Sequence, residues 1–86
     1  MNINDLTTIV KKKIEGNIPL QSIDVEDKTF LHKNHKGYDP KKFHIKLIIK
    51  SLELQKMDKI RATKKIYSIL KKEIKDYIHS IQILIN

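Results

Sequence analysis

The chain contains no cysteine, only two glycines and two prolines, and a single arginine, Arg61. Without cysteine there are no disulfides, thiolate nucleophiles or thiolate metal ligands, so a metal must be held by histidine, by carboxylates or by a partner. Two glycines are too few for a phosphate-cradling loop, and neither a nucleophile elbow nor an HExxH arrangement occurs. No acid, base and nucleophile cluster, so catalysis by the chain's own groups is not expected. Apolar runs such as Leu47-Ile48-Ile49 and Ile83-Leu84-Ile85 are short, far below the ~20 residues that span a bilayer. Asp5 and the Lys11-Lys12-Lys13 run interrupt any apolar h-region of a secretory signal, which makes the cytoplasm the expected compartment.

What is present fits one small domain over residues 1–86. A chain of 86 residues, 40% hydrophobic and 33% charged, has the apolar content to fold around one core but no length for a second. The net charge of +8 comes from 17 lysines and Arg61. Lysine is a hydrated point charge, whereas reading base edges or gripping phosphate in a planar fork favours arginine. The charge therefore favours non-specific affinity for polyanions over base readout, and its plainest meaning is a solvated surface.

Periodicity marks five elements, with one long loop among them. Leu6, Ile9, Val10 and Ile14 lie at helical spacing, with Asn2 or Asn4 as cap and Gly16 as a left-handed stop, which predicts a helix from Ile3 to Glu15. Pro19 prevents its continuation, and Ile23 and Val25 alternate with Ser22, Asp24 and Glu26 in a predicted strand from Leu20 to Glu26. Turn formers and lysines without periodicity fill Asp27 to Lys42, a long loop and hence the first place to seek a site. From Phe43 to Ser51, Ile45, Leu47 and Ile49 share one face of a second strand that forms a hairpin with the first. Asp58 caps a helical segment, in one or two pieces, with an apolar stripe of Ile60, Thr63, Ile66, Tyr67, Leu70 and Ile74. Lys71, Lys72 and Lys75 near its end complement the helix dipole. Ile81, Ile83 and Ile85 alternate in a third strand from Ile78 to Ile85. The sum is an α+β domain with helices packed on one face of a three-stranded sheet.

The chain has four histidines: His32 and His35 in the long loop, His44 in the second strand and His79 in the third. A loop pair and a distant strand histidine can converge on a metal, although loop histidines are commonly surface residues and a strand histidine is commonly packed. His79 shares parity with Ile81, Ile83 and Ile85, which places it on the core-facing side at the edge of the sheet.

Several segments taken in order resemble the BolA family. These are Ile23-Asp24-Val25-Glu26-Asp27, the run from Phe43 to Ser51, Ile66-Tyr67-Ser68-Ile69-Leu70-Lys71-Lys72-Glu73-Ile74, and Ile78-His79-Ser80-Ile81. The last is similar to the family's C-terminal His-Ala-Leu signature. The chain departs from the family where Arg-His-Arg falls on Ala62-Thr63-Lys64 and Phe-x-Gly falls on Leu54-Gln55-Lys56.

The resemblance implies an αββααβ domain with a three-stranded mixed sheet, similar to a type II KH fold. It also implies a monothiol glutaredoxin as partner, sharing a [2Fe-2S] cluster for which the partner supplies cysteine and glutathione thiolates. Carried over, His79 is one ligand from this chain and His35 or His32 the other. The chain is then a monomer alone and half of a heterodimer with its partner. Two imidazoles can replace two thiolates on one iron, as in Rieske centres, and they ligate only when neutral, so binding should weaken at acidic pH.

The resemblance carries a second expectation, a DNA-binding transcriptional regulator of the stress-response type, with Arg61, Lys64, Lys65, Lys71 and Lys72 on phosphates. The Gly-x-x-Gly loop of RNA-binding KH domains is absent. A third possibility is a protein-interaction domain without metal, whose partner affinity would not change in His79→Ala.

Overall fold

The computed structural model describes residues 1–29 and 42–86. The first helix, α1, spans Ile3–Asn17; Asn2 caps it by accepting from the Asp5 backbone N–H at 2.8 Å. Leu6, Val10 and Ile14 form its buried face. Gly16 is not the expected left-handed stop. The helix runs through it, and ends where Ile18 turns extended ahead of Pro19, which has no N–H to continue the ladder. The Asn17 side chain donates back to the Lys13 carbonyl at 2.7 Å, satisfying one terminal acceptor.

Strand β1 (Ser22–Asp27) pairs antiparallel with β2 (Phe43–Lys50), and β2 pairs parallel with β3 (Ile78–Ile85), giving a mixed sheet of order β1-β2-β3. The first strand begins two residues later than the alternation predicts, because residues 19–21 turn the chain into the sheet. As the central strand, β2 supplies the middle of the core with Ile45, Leu47 and Ile49, each at most 2% exposed. Ile23 joins them from β1, and Ile81, Ile83 and Ile85 pack partly buried at the β3 edge. The helices cover this face, and the other carries Asp24, Lys46, Lys50 and Gln82.

Ser51 ends β2 one residue earlier than predicted and opens a one-turn helix, α2 (Leu52–Gln55). Its hydroxyl accepts from the Leu54 N–H at 3.2 Å and donates to the Pro19 carbonyl at 2.8 Å, so this fully buried side chain ties the exit of α1 to the exit of β2. The predicted segment after Asp58 is two helices, α3 (Lys59–Ile69) and α4 (Lys71–Asp76), which break at Leu70. The break places Lys71 and Lys72 at the start of α4, leaving only Lys75 in a last turn, so the expected dipole pairing holds for one lysine of three.

The apolar stripe of α3 is narrower than its sequence predicts. Ala62, Ile66 and Leu70 are buried, while Ile60 and Tyr67 are 69% and 44% exposed. A part-buried ion pair completes the helical layer: Lys13 of α1 reaches both carboxylate oxygens of Glu73 of α4, at 2.9 and 2.7 Å.

Candidate metal-ligand site

The helices return the chain to the sheet at Tyr77, whose carbonyl accepts from the Phe43 N–H at 2.8 Å and so aligns the start of β3 with the start of β2. The pairing then slips by one residue. Phe43 stands opposite Ile78, but His44 stands opposite Ser80, leaving His79 as the extra residue of a β-bulge. Here the expectation from parity is corrected. Ile78 is buried at 2% exposure, Ile81 returns to the core side, and His79 between them is exposed. Simple alternation fails because the bulge removes His79 from the count.

The slip brings two histidines together. The imidazoles of His44 and His79 have centroids 4.9 Å apart with planes tilted by 38°. His44 is 6% exposed even though it lies on the sheet face away from the helices. Its Nδ1 shares a hydrogen bond of 2.6 Å with the hydroxyl of Ser80, the residue opposite it. Its backbone is fixed as well: its N–H donates to Thr29 Oγ1 at 3.1 Å, and its carbonyl accepts from the Lys28 N–H at 2.7 Å. The corner is thus a rigid, hydrogen-bonded imidazole with an exposed imidazole against it.

Thr29 and Lys42 both lie at this corner, since Thr29 binds His44 and Lys42 precedes Phe43. His32 and His35, the loop ligands implied by the resemblance, lie in segment 30–41, outside the described residues. Among the described residues, no three His, Asp or Glu side chains are grouped to hold a metal ion by themselves. The donor set at the corner suits a half-site: one accessible imidazole of intermediate softness, with no thiolate anywhere in the chain. A cluster bridged to thiolates from elsewhere fits such a donor, and a metal site built wholly from the described residues does not.

The other predicted site residues lie in the helical layer. Arg61, Lys64, Lys71 and Lys72 are exposed and Lys65 is half-buried, on α3 and the first turn of α4. Arg61 is paired with Asp58 at 3.4 Å. An open groove of about 340 Å³ between the helices and the far end of β3 is lined by Leu54, Met57, Ala62, Ile83 and Ile85 and contains no histidine. No helix among the described residues is long and apolar enough to cross a membrane.

His44 and Ser80 are the site residues that sequence reasoning missed. Their types gave a weak signal, a histidine and a serine on two strands, but only the register of the bulge makes them partners.

Comparison with known proteins agrees with this architecture. Among solved structures, the fold is similar to the BolA domain of SufE1 from Arabidopsis thaliana, with a TM-score of 0.81 at 24% identity over 99% of this chain and 94% of that one. It is also similar to BolA1 from Arabidopsis thaliana, with a TM-score of 0.76 at 18% identity over 93% and 88% of the two chains. For a Bol-like protein from Babesia bovis the TM-score is 0.69 at 14% identity, covering 92% and 80%. At these identities the likeness is one of fold. Comparison with curated protein sequences gives no match. The family model for BolA, described as BolA-like protein, matches residues 14–86, a span that holds the sheet, the bulge and all four histidines. On that match, the chain belongs to the BolA-like protein family.

Proposed function

We propose that this protein binds a monothiol glutaredoxin and shares a [2Fe-2S] cluster with it, with His79 as one ligand and His35 or His32 as the second. The observation that carries the reading is the exposed His79 imidazole, lifted out of strand alternation by the bulge beside His44, whose backbone Thr29 holds. A buried or freely alternating histidine would lack either access or a fixed base. The partner and its glutathione supply the thiolates that a cysteine-free chain lacks, and the cluster, when bound, supplies redox-active iron. This chain's own part is to present neutral imidazole nitrogen and to shield the cluster, not to catalyse.

Isothermal titration with cluster-loaded and cluster-free glutaredoxin tests the reading. The loaded form should bind more tightly, and His79→Ala should remove that difference while leaving binding of the cluster-free form unchanged. Equal affinity for both forms in the wild type contradicts cluster sharing.

A second reading, binding of DNA, is favoured by the exposure of Lys64, Lys71 and Lys72. It requires an affinity that falls steeply with salt and varies little with sequence, as expected for lysine contacts to phosphate that release counterions.

A further inference from the structure

An exposed imidazole is a poor ligand when its ring samples several rotamers, because each must be frozen as the metal bond forms. His79 is exposed, yet it is not surrounded by solvent on every side. One side of its ring meets His44, and His44 is held from three directions: by Ser80 Oγ on its ring, and by Thr29 and Lys28 on its backbone. Ser80 follows His79 directly, so the 2.6 Å bond between Ser80 and His44 also pins the backbone of the bulge that aims His79 outward. Ser80 and His44 therefore close a small loop of contacts around His79: strand to strand through the hydrogen bond, and ring to ring through the stack.

We propose that His44 and Ser80 are positioning residues for His79, holding its imidazole in one outward rotamer before any partner arrives. The inference rests on the reading that His79 is a metal ligand, and extends it to two residues that act through His79. Metal-bound histidines generally depend on such outer partners, whose loss typically weakens metal affinity by about 10–100-fold.

The test separates the two claims by using a readout that needs no cluster. NMR three-bond couplings of the protein alone report the χ1 rotamer of His79. The wild type should show one rotamer. Ser80→Ala, an exposed and mild change, should give averaged couplings, and Ser80→Thr, which keeps the hydroxyl, should restore the single rotamer. His44→Asn retains a nitrogen near the position of Nδ1 but removes the ring, and should also release His79 while amide spectra show the fold intact. Affinity for cluster-loaded glutaredoxin should fall about 10–100-fold in Ser80→Ala and recover in Ser80→Thr. Identical His79 couplings in the wild type, Ser80→Ala and His44→Asn overturn the positioning role, whatever the titration gives. A wild type with one His79 rotamer but no preference for the loaded partner overturns the cluster reading and leaves the positioning role standing.

Discussion

Gly16 shows how one residue's place in the backbone decides the sign of a substitution. It lies within α1, and a Cβ built on it meets nothing within 4 Å. Gly16→Ala should therefore stabilise the protein by about 0.4–1 kcal/mol, through the entropy of the unfolded chain. A left-handed Gly16, as its position after a helix ending at Glu15 predicts, would make the same change destabilising, so a denaturation midpoint discriminates between the two. Ser51 is the opposite case. It is fully buried, and its hydroxyl serves both as the α2 cap and as donor to Pro19. Ser51→Ala should lower stability by about 1–3 kcal/mol, read from urea unfolding with an unchanged m-value. His79→Ala, at an exposed position, should move that midpoint little.

At the scale of elements, the Lys13–Glu73 pair joins α1 to α4 across 60 positions of sequence. Glu73 is 4% exposed, so removing its cation leaves a buried carboxylate without its charged partner. Lys13→Met should cost about 1–3 kcal/mol, discounted from a fully buried pair because the lysine side chain remains 39% exposed. Adding Glu73→Leu should recover part of that loss, and a double-mutant cycle with additive costs would show that the pair does not couple.

These elements also show which features sequence reveals. Ile45, Leu47 and Ile49 alternate because β2 buries one continuous face, and Leu6, Val10 and Ile14 recur because α1 buries one stripe; periodicity records both. Features set by meetings between distant segments leave no local trace. Nothing near Glu73 announces Lys13, nothing in β3 announces that it slips against β2 at His79, and Ile60 and Tyr67 fit a stripe that the core never reaches. The break at Leu70 is equally silent, since no proline or glycine marks it. His79 is thus legible as a candidate by its residue type, while its exposure, its contact with His44 and the brace of Ser80 are consequences of register.

For the whole molecule, the fold divides labour between its layers. The helical layer and the inner face of the sheet form the core, with Leu6, Leu47, Ile66 and Leu70 buried completely. The start of β2 and β3, at one corner of the sheet, presents His79 against the buried His44, and the lysines of α3 and α4 belong to the helical layer. A charge of +8 carried almost wholly by lysine favours attraction to polyanions without base discrimination. Salt therefore acts as a control that separates the two surfaces: cluster-dependent association through His79 should persist at an ionic strength that abolishes adhesion through lysines.

The most direct measurement is an anaerobic titration of [2Fe-2S]-loaded monothiol glutaredoxin with this protein, followed by visible circular dichroism. The account predicts a new spectrum that saturates at one chain per cluster and is absent with His79→Ala, because imidazoles in place of thiolates would alter the optical activity of a bound cluster. A spectrum that stays that of the glutaredoxin alone throughout the titration would contradict cluster sharing by this protein.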